Sequence, residues 1–410
     1  MATLRPFRAL RPKSSLASAI AAVPYDVVNA DEARALAADN PLSFLRVSRT
    51  ELELPPGTNP YADAVYDRSA ANFERLKASS LVIEDEPSAY FYRLRTGDHE
   101  QTGVAGCYAL DEYDRGVIKK HERTRPDKED DRTRHMIALG AQTGPVFLAY
   151  RAAAEVDAIG RRVTANEPLF DFLAPDGVRH TVWQVTGADR GSLVAAFGRI
   201  PTLYIADGHH RAASAARTRD AFRDLGVARP SLDDGADYNT FLGVAFPHDQ
   251  VRVLPYNRIV KDIGRLTPDA FVQAVRDRFE LEPGPAAPVK RGHISMYFGG
   301  GWYTLRPRAK PDLANPIASL DVNVLQERLL APVLGIKDVT TDKRIDFVGG
   351  ARGTDELEKL VHAGKAVLAF SMFPVSVADL MAVCDAGAIM PPKSTWFEPK
   401  LRDGLLIHLI

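Results

Sequence analysis

The stretch "LYIADGHHRAASAAR", Leu203–Arg217, runs from apolar residues through an acid and a glycine into two histidines, an arginine and an alanine-rich tail. The run Leu203–Ala206 reads as a strand that delivers Asp207 to its carboxyl end. Gly208 can turn the chain sharply and let backbone amides approach a ligand. "HHRAASAARTRDAF" reads as a helix whose first turn carries unpaired N–H groups and the positive end of the helix dipole. That is a phosphate site in outline. Gly208, His210 and Arg211 are its candidate cofactor-binding residues, Arg211 because a guanidinium grips two phosphate oxygens at once. His209 and His210 can donate to phosphate or act as acid or base near neutral pH. Asp207 can serve as general base, as a magnesium ligand, or as a carboxylate that orients a histidine. The plainer alternative is that Asp207 caps the helix and the histidines hydrogen-bond within the fold. Adjacent histidines chelate one ion poorly, and no cysteine or third histidine sits at a standard spacing, which argues against zinc.

Outward from this turn, strands and helices alternate with hairpins among them. "VVNADEARALAADNPLSFLRV" (27–47) has a capping box of Asn29 and Glu32, a helix stopped by Asn40-Pro41, and "SFLRV" as a strand. A helix covers Tyr61–Ser79, and "AYFYRLR" and "TGVAGCYAL" pair as a hairpin. A helix starts after Pro126, "VFLAY" and "HTVWQVT" are strands, and "NTFLGVAFP" follows the central motif. "HISMYFGGGWYTLRPR" is a second hairpin, and "DVNVLQERLLAPVL" is helical. The mixture predicts α/β to α+β domains with mixed sheets and flanking helices, not an all-parallel sheet. The expected division is 1–115, 116–250 and 251–410.

Two further polar clusters are candidates. "KKHERTRPDKEDDR" (119–132) places His121 and Glu122 directly after a strand-like "GVIK". A strand end is where a sheet offers groups to a ligand, and both residues are candidate catalytic groups beside Asp207 and His209. A charged, solvated helix face is the alternative. "MPPKSTWFEPK" (390–400) offers Lys393, Ser394 and Thr395 as phosphate-binding groups in a loop stiffened by prolines, without the glycines of a Walker A motif. Trp396 and Phe397 either stack on a base or pin the C-terminus. Tyr25 and Asp26 in "AVPYDVV" either face a cleft or form a turn.

The formal net charge of -1 gives no global field toward nucleic acid or an acidic membrane. The two cysteines, Cys107 and Cys384, read as buried thiols of a reducing compartment. The apolar part of the N-terminal stretch is too short for a signal peptide, and no window reaches the roughly 18 apolar residues of a membrane span. The expectation is a soluble, cytoplasmic protein. Oligomeric state stays open, with room for a homo-oligomer.

Taken together, "VPYDVVNADEARALAADNPLSFLRV", "HERTRPDKEDDR", "LYIADGHHRAASA", "NTFLGVAFP", "VLPYNR" and "MPPKSTWFEPKLRDGLLIHLI" resemble the uncharacterised family DUF1015 over nearly the whole chain. More distantly, that family is similar to the ParB/sulfiredoxin superfamily, which includes an ADP-dependent free serine kinase. The resemblance implies a ParB/sulfiredoxin-like core around the DGHHR motif. There Gly208, His210 and Arg211 match a basic motif that holds nucleotide phosphates, with His209 where sulfiredoxin has its reactive cysteine. No basic helix-turn-helix of the ParB kind is found. The kinase branch implies a nucleotide, ATP or ADP with Mg²⁺, and a small hydroxyl-bearing substrate such as serine. Asp207 or Glu122 would then take the acceptor proton or bind the metal, and Lys393 would neutralise transferring charge. A nucleotide-binding regulator without turnover, and a phosphoester hydrolase or other small-metabolite enzyme, are the alternative readings.

Overall fold

The computed structural model describes residues 1–55, 57–226 and 237–410. These fall into two compact units. The first is Met1–Val251 together with Pro399–Ile410, and the second is Arg252–Glu398. Cys107 and Cys384 are both buried. No helix among the described residues is long and apolar enough to cross a membrane.

The first unit is built on a nine-stranded sheet. Its strands are β1 (Leu4–Arg5), β2 (Ala89–Thr96), β3 (His99–Ala109), β4 (Ile118–Lys119), β5 (Val146–Tyr150), β6 (Phe170–Leu173), β7 (Arg179–Val185), β8 (Leu203–Asp207) and β9 (Thr240–Pro247). The order is β4-β8-β5-β9-β3-β2-β7-β6, with β1 added beside β3. β4 runs parallel to β8, and β5 parallel to β9, while the other pairs are antiparallel. The sheet is therefore mixed, as the alternation of elements predicts. β2 and β3 turn over Gly97-Asp98 alone. β3 pairs with β9 through Gly106 and Gly243, where a methyl on Gly243 would press on Tyr108 and Leu148 at 3.0–3.1 Å.

The helices that matter for the site are α1 (Ala30–Ala37), α2 (Asp63–Ser79), α3 (Pro126–Leu139) and α4 (His209–Asp224). α1 carries the expected capping box, with Asn29 accepting from the Glu32 amide and Glu32 from the Asn29 amide. α3 starts with Pro126 at its first position, where no amide hydrogen is needed, and ends at Gly140 in the left-handed region, φ 58°. α3 packs along α4. The Ser214 hydroxyl donates to the Glu129 carbonyl at 3.2 Å, and Thr218 lies over the Met136 sulfur. The alanines of α4 permit that close approach.

Two expectations are corrected. "SFLRV" is not a strand: Leu45–Ser48 is a short helix. Phe44, Leu45, Val47 and Ser48 are all buried, which is the i, i+1, i+3, i+4 pattern of a helix face and not the alternation of a strand. Arg46 fixes the turn by donating to the carbonyls of Ala37 and Asn40 while pairing with Glu53. The boundary expected at 115 falls inside the sheet, since β3 and β9 from either side of it are hydrogen-bonded neighbours. The expected 251–410 region also loses its last twelve residues to the first unit.

The second unit holds a six-stranded, wholly antiparallel sheet. The hairpin Ile294–Phe298 with Gly301–Pro307 is as predicted. The helical pattern from Asp321 splits into an α segment, Asp321–Leu325, and a π turn, Gln326–Leu330.

Within the first unit, α2 and α3 are joined through a buried histidine. His135 Nε2 lies 3.1 Å from both the Ser69 hydroxyl and the Val47 carbonyl. Burial, aided by Arg132, pushes its pKa down to about 4. The folded chain holds this ring neutral while the unfolded chain takes up a proton below about pH 6.5. Stability from this group is therefore fully present above that pH and is lost as pH falls toward 4. Urea unfolding followed between pH 7 and pH 4 should show this fall, and H135Q should flatten the slope in that window. An unchanged slope would reject the assignment.

Candidate functional site

The two outer strands β4 and β8 run in parallel and end at the same edge of the sheet. The chain leaves β4 into Lys120, His121 and Glu122, and leaves β8 into Gly208 and α4. β8 carries a bulge, since Ile205 pairs with Leu148 and Asp207 with Phe147 across one extra residue. Such a bulge re-aims the side chain beyond it, here that of Asp207. Gly208 then takes φ +87°, a left-handed conformation that favours glycine, and lies against Val146. Helix α4, 16 residues long, begins at His209 with no side-chain cap.

Asp207 is half-buried and fully engaged. Its Oδ1 accepts from the Gly208 amide at 2.8 Å and its Oδ2 from the Lys400 ammonium at 2.7 Å. Burial opposes its charge, but Lys400 first, then Arg211 and the Gly208 amide, outweigh burial and hold the carboxyl well below the usual carboxylate range. It is an anion at every physiological pH, and thus a poor store for a proton. The magnesium-ligand role expected for it meets an ammonium group where a cation would stand.

His121 and His209 come together from elements 88 residues apart. Their rings meet edge to face with centroids 4.5 Å apart. His121 Nδ1 is 2.9 Å from the Ile205 carbonyl, and the His121 amide points at His209 Nε2 from 3.5 Å. Burial pushes the His121 pKa down to about 4 and drives that of His209 well below its ordinary value, so both rings are neutral at pH 7. The half-buried Glu122 completes the group: one ligand atom from each of His121, Glu122 and His209 lies within 4.8 Å of the others. His210 turns the other way and accepts from the Arg125 amide at 3.0 Å, fastening the loop before α3 to the start of α4.

Arg211 does not present its guanidinium to solvent. It is buried, donates to the Pro145 carbonyl at 2.9 Å, and faces Asp403 at 3.4 Å and Asp26 at 3.9 Å. Tyr25 lies under it at 5.7 Å and under Arg132 at 4.1 Å. Burial pushes the Asp403 carboxyl up to about 6 despite Arg211. These contacts tie the C-terminal segment to the start of α4 through Arg211. Tyr25 and Asp26 do face this group.

Lys393, Ser394 and Thr395 belong to the second unit. There the Ser394 hydroxyl donates to the Pro391 carbonyl, and the Lys393 carbonyl accepts from Arg258 at 3.0 Å. Trp396 packs edge-on against Tyr256 at 5.2 Å, and its strand pairs with Val253–Leu254. The residues gathered around Asp207 all come from the first unit. Sequence reasoning missed Lys400 and Asp403. The only local sign of them was the charge run "KLRDG" between apolar stretches.

The Arg211–Asp403 contact can be tested directly. Arg211→Ala leaves Asp403 buried without its cation and should cost on the order of 3 kcal/mol, the lower end for a broken buried pair because the carboxyl can take up a proton. Asp403→Asn, which removes a group already inclined to be neutral, should cost less. Gly144→Ala should also destabilise, because the added methyl would overlap the Asp403 carboxylate and approach the Arg211 guanidinium carbon to 3.1 Å. Denaturant midpoints measure all three, and an R211A protein as stable as wild type would refute the anchoring role.

No curated protein matches the chain in sequence. Among solved structures it is similar to a conserved hypothetical protein from Pyrococcus furiosus, with 15% identity, 74% of this chain and 95% of that one covered, and a TM-score of 0.35. It is also similar to free serine kinase in complex with AMP (14% identity, 76% and 94% covered, TM-score 0.36) and to C-terminally truncated SbnI from Staphylococcus aureus (11% identity, 74% and 87% covered, TM-score 0.37). In sequence, residues 4–323 match the family model described as protein of unknown function, DUF1015, and the chain belongs to that family.

Proposed function

We propose that the first unit is a cytoplasmic, nucleotide-dependent phosphotransferase acting on a small hydroxyl-bearing metabolite, with a ParB/sulfiredoxin-like core around the Asp207–Arg211 turn. The observation that carries this reading is the Lys400–Asp207 pair at the mouth of α4, 2.7 Å across. It sets an ammonium beside a helix start whose first-turn amides have no acceptor within the helix. Together they form a site for phosphate oxygens, with ATP or ADP and its Mg²⁺ as the donor.

Each neighbouring group then has a task. Gly208 lets the backbone come close to the phosphates. Asp207, ionised throughout, holds Lys400 in place and orients donors on the substrates. Lys400 takes the charge-neutralising role first read for Lys393. His121, Glu122 and His209 form the acceptor side, with the Glu122 carboxylate placed to take the proton of an attacking hydroxyl and the two neutral imidazoles beside it to orient that hydroxyl. His210 and Arg211 support the site by tying the loop 120–125 and the C-terminal segment to α4.

Lys400→Met separates binding from folding. Asp207 is half-exposed, so water can replace the lost ammonium. Thermal shift with AMP, ADP and ATP, each with and without Mg²⁺, should raise the wild-type Tm for ADP or ATP by mass action. K400M should retain the ligand-free Tm within a few degrees and bind the same nucleotide at least tenfold more weakly. Labelled phosphate should pass to an acceptor in a panel of amino acids and sugars that begins with serine. The absence of any nucleotide shift at millimolar concentration would defeat the reading. Binding without product from any acceptor would make the protein a nucleotide-binding regulator.

A further inference from the structure

His121 follows β4 and His209 opens α4, and the parallel pairing of β4 with β8 sets these two positions side by side. Both rings are buried, at 2% and 5% exposure. For His121 the 2.9 Å contact to the Ile205 carbonyl fixes the tautomer: Nδ1 carries the hydrogen and Nε2 the lone pair. A backbone carbonyl behind the ring is how metal-ligating histidines are commonly oriented. For His209, the one contact its ring makes within hydrogen-bonding distance, among the described residues, is the His121 amide at 3.5 Å. At 3.5 Å that contact is weak, and it leaves the Nε2 lone pair open to a stronger partner within the group. Glu122 adds the carboxylate.

We infer that His121, Glu122 and His209 bind one divalent transition-metal ion of the zinc, cobalt or manganese class. Two imidazole nitrogens and one carboxylate oxygen suit these metals, whereas magnesium and calcium take oxygen ligands. Three protein ligands leave coordination positions open, the arrangement of a catalytic site and not of a closed structural one. Ligand atoms around a tetrahedral ion at about 2.0–2.1 Å stand about 3.4 Å apart. The three ligand atoms already lie within 4.8 Å of one another, so small side-chain shifts would bring them to that spacing, and Glu122 lies in the loop between β4 and α3. In the proposed reaction the ion would hold the acceptor oxygen and ease loss of its proton. That purpose rests on the phosphotransfer reading, while metal binding itself does not.

The test uses the full chain, freed of metal by a chelator and dialysed. Titration with Co²⁺ alone should give visible absorption bands of a low-symmetry site, saturating at one equivalent per chain and abolished by Zn²⁺. Calorimetry with Zn²⁺ and Mn²⁺ should give the same stoichiometry. Glu122→Gln should weaken binding at least tenfold, as should His209→Gln, while His293→Gln in the second unit should leave it unchanged. Because His209 is buried, E122Q carries the decision if H209Q folds poorly, with each variant's fold checked by circular dichroism. No stoichiometric uptake, or uptake that survives E122Q in a folded protein, would overturn the inference. Metal binding without any nucleotide shift would keep this site and remove the phosphotransfer reading. Nucleotide binding without metal uptake would do the reverse.

Discussion

The buried charge of Arg211 is the constraint around which the first unit is organised. A guanidinium sunk beneath a helix start must be matched, and the one acid near it in sequence, Asp207, is taken up by Lys400 and the Gly208 amide. The match comes from Asp403, in a segment that returns to the first unit after the whole of the second has been made. That return is fastened by main-chain bonds. Asp403 and Ala22 exchange amide and carbonyl contacts, Gly404 donates to Thr143, and Ile407 and Leu10 pair. His408 and Leu409 then continue as a strand beside Ala141–Gln142. The same segment delivers Lys400 to Asp207. One twelve-residue stretch thus neutralises one buried cation and supplies another to the site.

The charges around the turn are sorted by what each can exchange. Asp207 is kept ionised by two donors and the field of Arg211. Asp403 is pushed toward its neutral form by burial, so the Arg211 contact is held by geometry as much as by charge. His121 and His209 are kept neutral by burial, with lone pairs rather than protons to offer. The site therefore has a fixed anion, a fixed cation and a pair of neutral bases within a few residues of one bulged strand end.

What the sequence made legible was local. The strand, glycine and helix at 203–224 rest on an apolar run, one residue suited to φ +87° and a run of good helix formers, all within twenty-two residues. The capping box at Asn29 and the proline start of α3 are legible for the same reason. "SFLRV" failed because five residues carry too little periodicity, and the burial that makes them helical comes from packing against Phe73 and its neighbours. His121 and Glu122 could be singled out as a strand-end pair. That their partner is His209 could not, since only the parallel register of β4 and β8 joins them. Lys400 and Asp403 lie 193 and 192 positions from the residues they serve. At that separation, a lysine and an aspartate in "PKLRDG" look like any solvated charge run.

His209 sits where two demands meet. It is the first residue of α4, so its backbone amide belongs to the uncapped first turn of that helix, and its ring belongs to the group with His121 and Glu122. A helix of 16 residues packed along α3 does not bend at its first turn to suit one demand without moving the other. The turn amides and the His121–Glu122–His209 group are therefore fixed relative to each other by a single rigid element. The bulge at Ala206 decides the outcome. In a regular ladder Ala206 would stand opposite Phe147 and Asp207 would move on to Val146 and the other face of β8; the bulge instead holds Asp207 opposite Phe147, directly before the left-handed turn at Gly208.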